Sequence, residues 1–224
     1  MLLLVTDTSG KSGSVALARA GSANDVEVIE SVPLAGGTFS AQLVPQIAAL
    51  LAKHGFSKKD FDAFVVVSGP GSFTGLRVGL AAIKAPAEIL RKPIVAVSLL
   101  EVVALASRVS GKVVAGLDGG RGEVFVGEYA VEGESARFLR EELMSKDGFL
   151  AAAQGLIVAT PDEALAGIAR ESGISTVQVP SPDAARIAAL GWRRLQAGEV
   201  VTPEQLEANY LRRSDAEIFV RANS

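Results

Sequence analysis

Apolar and polar positions along this chain follow two rhythms, one of strand length and one of helical period. Leu2 to Thr6 is a continuous apolar run that stops at the polar cluster DTSGKSGS and resumes as VALARAG, the pattern of a hairpin with a long polar tip. VEVIESVPL, after Asn24 and Asp25, is a third strand. In AQLVPQIAALLAKHGF, Leu43, Val44, Ile47, Leu50 and Leu51 recur at helical spacing, with Ser40 as N-cap and Gly55 as the stop. The apolar arc of that helix is wide enough for burial on more than one side. FDAFVVV is a buried strand, and SGPGSFTGLRVG leads from it into a helix over residues 75–90. Pro86 deletes a hydrogen bond inside that helix and should kink or interrupt it. KPIVAVS and LLEVVALASRV complete the first block as strand and helix.

A second block opens at Gly111, where KVVAGLDGGRGEVFVGEYAV repeats the opening pattern of apolar strand, Asp, Gly-containing tip and apolar strand. Asp118 takes the place that Asp7 has in the first block. Two half-similar lobes, residues 1–108 and a smaller 109–224, are the simplest explanation. EELMSKDGFLAAA reads as helix, GLIVAT as strand, PDEALAGIARESG as helix, STVQV as strand and PDAARIAALGWRRLQAG as helix. Such alternation predicts an α/β sheet architecture.

Composition narrows what this architecture does. With 224 residues and 49% apolar content the chain can bury a sizeable core. A net charge of -3 supplies no broad basic field for nucleic acid, and the absence of cysteine excludes thiol chemistry and zinc ribbons. No apolar run approaches the roughly 20 residues of a spanning helix, so a cytoplasmic protein away from membranes is expected.

The Gly-rich loop has two physical readings. Four glycines and a proline in the twelve residues 68–79 can present amide donors to an anion at a helix N-terminus, or can allow positive φ and close helix-to-strand packing. It lacks the Lys-Ser/Thr pair of a phosphate-binding P-loop and fits the dinucleotide fingerprint poorly, so packing is favoured. Gly69, Pro70, Gly71, Ser72, Phe73, Thr74, Gly75 and Arg77 are its candidate residues, with Phe73 as anchor and Arg77 as a first-turn polar contact. Asp7 and Asp118, at equivalent strand ends, are candidates for a vestigial phosphate site; a polar hairpin tip with Asp7 capping the turn is the commoner arrangement. The one histidine, His54, cannot form a paired-histidine metal site, and no HExxH motif is present. No catalytic residue and no metal ligand is assigned.

LLLVTDTSGKSGSVAL, GPGSFTGLRVGL, AGLDGGRGEVFVGEY and ANYLRR, in this order over nearly the whole chain, resemble the TsaB (YeaZ) family. The resemblance implies a two-lobed fold of the actin, sugar kinase and Hsp70 type (ASKHA), with duplicated ribonuclease H-like lobes and the second lobe reduced. It further implies a non-catalytic part in making threonylcarbamoyladenosine at position 37 of tRNAs that read codons beginning with A. In that pathway a TsaD-type subunit carries the metal and the transfer chemistry, the TsaB-type protein is its dimer partner, and a TsaE-type ATPase joins them. No intrinsic cofactor is implied, ATP or ADP being a candidate only in the assembled complex. Relatives carry His-Ser or His-Thr before the first long helix, whereas Phe39 stands in the His position here, with Ser40 retained.

The resemblance places partner contacts on the helix at residues 40–54 and the one after the Gly-rich loop. Leu43, Ile47 and Leu50 face one way and Val44, Ala48 and Leu51 another, while Gly79, Ala82 and Ala85 permit close helix approach; Leu43, Ile47, Leu50, Gly79 and Ala82 are the candidate interface residues, internal core is the competing reading, and the two can hold for different faces. Such a surface would also make the chain a homodimer when alone. Arg186, Arg193, Arg194, Arg212 and Arg213 form at most a modest basic strip, so tRNA is expected to be met mainly through the complex. An ATP-dependent small-molecule kinase and a peptidase are the alternative classes.

Overall fold

The computed structural model describes residues 1–21 and 25–212; Asn24 and Arg213, named above, lie outside them. Two compact units divide the chain, Met1–Ser98 with Asp183–Asn209, and Leu99–Pro182 with the stretch that begins at Tyr210.

In the first unit, β1 (Leu2–Asp7), β2 (Ser12–Ala20), β3 (Val26–Ala35), β4 (Phe61–Gly69) and β5 (Ile94–Ser98) form one sheet in the order β3-β2-β1-β4-β5. β1 to β3 are antiparallel neighbours, and β4 and β5 run parallel to β1. Central strands covered on both faces need no polar side, which explains the unbroken apolar runs of β1 and β4. β3, at the edge, alternates instead. Helices α1 (Phe39–Lys53) and α2 (Phe73–Leu90) bury Leu43, Leu50, Leu76, Leu80 and Ile83 against Leu4, Phe64 and Val66. The alternate residue Val65 faces the opposite side, where Gly191 of the last helix comes so close that a Cβ there would strike both Val65 methyl groups.

The second unit repeats the plan. β6 (Gly111–Gly120), β7 (Glu123–Glu132), β8 (Ser135–Ser145), β9 (Ile157–Thr160) and β10 (Thr176–Gln178) lie in the order β10-β9-β6-β7-β8. α4 (Lys146–Ala152) and α5 (Glu163–Glu171) seat Phe149 and Leu165 on Val114, Val124, Val126 and Val158. α3 (Leu99–Ala106) covers the other face, with Leu100 and Val103 against Val113, Ala115 and Tyr129.

Several sequence expectations change. The chain does not divide at residues 108/109: α3 follows β5 but packs on the second sheet, and α6 (Ala184–Gln196) follows β10 but packs on the first. Each sheet is thus covered by the last helix of the other repeat, which a linear cut cannot represent. EELMS is the end of strand β8, and only Lys146–Ala152 is helical. The alternating exposure of β8 is a period of two that the charged residues obscured. Thr38, not Ser40, is the N-cap of α1, and α2 runs without interruption through Pro86. No helix among the described residues is long and apolar enough to cross a membrane.

Gly191 sets the separation of α6 from the sheet. Gly191→Leu is expected to lower stability by about 2 kcal/mol or more through overpacking against Val65, read as a reduced denaturant midpoint; an unchanged midpoint would show that α6 shifts freely.

Candidate functional site

β1 delivers Asp7 to the mouth of the β1–β2 hairpin, and the Gly-rich loop arrives beside it from β4. Asp7 Oδ1 accepts hydrogen bonds from the amide of Ser9, 2.9 Å, and from its hydroxyl, 2.6 Å, folding the tip back on itself. Thr8 and Ser9 are each only 2% exposed. Their polar groups are satisfied by the loop: Thr8 Oγ1 donates to the Gly75 carbonyl at 2.7 Å, and the Ser9 carbonyl accepts from the Ser72 amide at 2.6 Å.

The glycines of the loop serve this junction. A Cβ at Gly71 would lie 2.7 Å from Ser9 Cβ, at Gly75 it would overlap the Thr8 carbonyl oxygen, and at Gly79 the Thr8 hydroxyl. Gly75 and Gly79, four apart, make one bare track down the start of α2 on which Thr8 lies, and Gly71, in the loop before the helix, leaves room for Ser9. Gly69 has a different reason: its φ is +144°, and Asn209 crosses it, donating its amide to the Ser68 carbonyl at 2.8 Å with its own carbonyl 2.6 Å from where a Cβ would stand. Pro70 follows a cis peptide bond. Ser72 caps α2, its hydroxyl accepting from the Gly75 amide at 3.3 Å. Phe73 is half-buried and carries the Arg77 guanidinium 3.8 Å above its ring, while Thr74 is exposed beside it. The Ser72 and Gly75 amides are thereby turned onto the chain's own oxygens.

Phe39 opens α1 and is 5% exposed. Its ring edge lies 2.9 Å from a Cβ built on Gly13 of the hairpin and 3.4 Å from one built on Gly75, so it wedges between hairpin and α2 where relatives are expected to carry His. Burial pushes the Asp7 carboxyl above its ordinary value, although the Ser9 bonds favour its anion. Asp118 shares its topological place but not its surroundings: it is exposed and accepts the Gly120 amide at 2.9 Å. Among the described residues no three His, Asp or Glu side chains come together where they could hold a metal ion. His54 is the C-cap of α1, and its Nε2 meets Glu30 of β3 at 2.7 Å beside the Lys53–Glu30 pair. Lys53 and then His54 hold the Glu30 carboxyl below its ordinary value.

The helix surface differs from the expected one. Leu43, Leu50 and Gly79 are buried within the unit, and Ile47 and Ala82 pack partly against the same core. The open face lies beside them: Ala41, Val44, Pro45, Ala48 and Ala52 on α1, with Val44 60% exposed, and Ala81, Ala85 and Ile89 on α2, with Ile89 78% exposed. Between Phe39 and Lys53, α1 carries no charged residue. That absence was the signal available in the sequence, since a solvated helix face ordinarily bears charge. The predicted basic strip is largely committed elsewhere: Arg186 pairs with Asp183, Arg194 donates to the Ala96 carbonyl at 2.6 Å, and Arg212 to the Gly119 carbonyl at 2.8 Å and to Glu123 at 2.6 Å.

Paired five-stranded sheets of identical order, each entered by a hairpin with Asp at the strand end, define an α/β protein of the ASKHA class. A family model described as TsaD, tRNA N6-adenosine threonylcarbamoyltransferase, matches residues 33–160, more than half of the chain. The tRNA threonylcarbamoyladenosine biosynthesis protein TsaB of Escherichia coli is 28% identical over 96% of both chains. That of Bacillus subtilis is 34% identical over 58% of this chain, an alignment spanning 55% of the Bacillus protein. The crystal structure of a Pseudomonas aeruginosa protein described as similar to peptidase YEAZ superposes with a TM-score of 0.73 at 28% identity, covering 94% of this chain and 99% of that one. The chain belongs to the family of that model, within which it groups with the TsaB (YeaZ) proteins.

Gly71→Val and Gly79→Ala are each expected to lower stability, by about 1–3 kcal/mol for the alanine and more for the valine, measured by chemical denaturation. Asp7 sets a pH dependence. Its folded-state affinity for the proton exceeds that of the unfolded chain, so its contribution is fully present below the unfolded value and is lost as pH rises through the raised folded value. Asp7→Asn should flatten the fall in melting temperature as pH rises through and above the ordinary carboxylate range; a variant that keeps the wild-type slope would assign that slope to other groups.

Proposed function

We propose that this chain is a partner subunit, without transfer chemistry of its own, of the complex that moves a threonylcarbamoyl group onto adenosine 37 of tRNAs reading codons that begin with A. It supports a TsaD-type catalytic subunit in the cytoplasm, and a TsaE-type ATPase joins the pair. The observation that carries this reading is the open α1–α2 face: apolar, nearly uncharged, and fixed to the sheet by the Thr8–Ser9 junction with the loop glycines. An apolar helical face of this kind stays solvated only at a cost, and a partner's helices remove it. When the catalytic subunit is absent the same face drives a homodimer.

tRNA is met mainly through the complex, because the arginines available to this chain are largely spent on its own carbonyls and carboxylates. ATP or ADP belongs to the assembly and not to this chain alone. A kinase reading needs loop amides and hairpin hydroxyls turned toward a nucleotide, whereas Ser72, Thr8 and Ser9 are turned toward one another.

Light scattering on size-exclusion fractions tests the reading. The chain alone should run as a dimer and convert to a one-to-one complex with the TsaD-type protein of the same genome. Val44→Glu and Ala81→Glu should each weaken that complex at least about tenfold, equivalent to ~1.4 kcal/mol, without lowering the melting temperature. A chain that ignores the partner would overturn the proposal.

A further inference from the structure

The open face runs into a cleft at the end of α2. Ala81, Ala85 and Glu88, at spacings of four and three, share one exposed stripe of the helix, and Glu88 is also part of the wall of a cleft of about 420 Å³. Ala87, Pro93, Val200, Val201 and Pro203 give the cleft its apolar lining, and Val200 is 42% exposed. The wall opposite α2 is fixed in advance. The Val201 amide donates to the Ile94 carbonyl at 2.9 Å, the Thr202 and Gln205 side chains each accept from the other's amide at 3.3 and 3.1 Å, and Leu206 anchors the turn in the core. Ile89, the residue after Glu88, is left 78% exposed.

Two charges at this place are unused. Glu88 and Arg91 are exposed, and neither side chain takes part in a hydrogen bond or ion pair among the described residues. Three apart on a helix they would ordinarily meet, but Arg91 has left the helix at a φ of +53°. The other charges of the cleft are occupied: Lys92 pairs with Asp62 at 3.6 Å, and the Thr202 hydroxyl, then the amide of Glu204 itself, with Lys84 beside them, hold the Glu204 carboxyl below its ordinary value.

We infer that the occupant of this cleft is a second copy of the chain, docked about a two-fold axis that crosses the end of α2, so that Ile89 of each copy enters the cleft of the other while Glu88 meets Arg91 across the axis in both directions. In a two-fold contact residue i meets j and j meets i, so a surface pairs with itself only where it holds both halves of each contact. The end of α2 holds both: an unpaired acid with an unpaired base, and an exposed apolar side chain with an apolar cleft. The inference rests on the homodimer in the reading above and deepens it by giving that dimer an axis and named contacts. A catalytic partner seated over the same stripe has to displace the second copy.

Charge reversal tests it. Glu88→Arg and Arg91→Glu each set like charges against each other on both sides of the axis, so each variant alone should dimerise about tenfold more weakly than the parent, or worse, by analytical ultracentrifugation, with an unchanged melting temperature. Mixed one to one, the two variants should recover the parent's affinity, because every reversed residue then faces its opposite. Ile89→Ser should weaken the dimer at least about tenfold, and mixing should not rescue it. Single variants that dimerise like the parent, or a mixture no tighter than either variant alone, would overturn the inference and leave the partner reading standing. A parent that runs as a monomer and still binds the TsaD-type subunit does the same. A parent that dimerises but ignores the TsaD-type subunit overturns the partner reading, and the reversed pair still decides the inference.

Discussion

The structure depends on how closely β1 can approach α2 as it leaves the sheet. Thr8 and Ser9 are polar, nearly inaccessible and placed where β1 has run out of strand partners, so their groups must be satisfied from outside the sheet. The loop from β4 does this only because Gly71, Gly75 and Gly79 present no side chain. Positive φ has no part in those three positions; Gly69 alone of the four needs it. One strand end, one loop and one helix thereby become a single rigid corner, and the direction of α2 follows from it.

Duplication supplies the frame, and the last helix of each repeat covers the sheet of the other. Each repeat runs through three antiparallel strands, helix, strand, helix, strand and helix, yet α3 and α6 each cover the sheet of the other repeat. A sheet whose central strands are apolar on both faces has two faces to cover, and the two helices nearest in sequence cover only one. The repeats have since diverged in what they do with equivalent places. Asp7 is held in a desolvated turn against the loop, while Asp118 sits exposed at the tip of its hairpin.

Much of this was legible in the chain because the elements left local signals. Apolar runs ended by Asp and Gly marked β1, β2, β6 and β7, and the repeated hairpin marked the duplication. β8 was missed because an edge strand with charges on one side has a weak period, and the exchanged helices were missed because nothing local records which sheet a helix will cover. Leu43 and Leu50 are buried and Ile47 packs partly on the same core, because they are the most hydrophobic residues of α1 and hydrophobicity favours burial in the core. The open face is made of Ala, Val and Pro, residues that are unremarkable singly and informative only because charge is missing among them.

Phe39 joins the corner to the face. Its ring fills the space between Gly13 and Gly75, so the hairpin, the loop and the first turn of α1 pack on one aromatic side chain. A histidine there would bring a polar ring that needs a hydrogen-bond partner into this buried space. The substitution therefore suits a junction that packs against itself, and it ties the position of α1 to the same strand end that fixes α2. Because both helices of the open face take their bearings from Thr8, Ser9 and Phe39, the face can be held in one geometry before any partner arrives, and association then costs little ordering of the subunit.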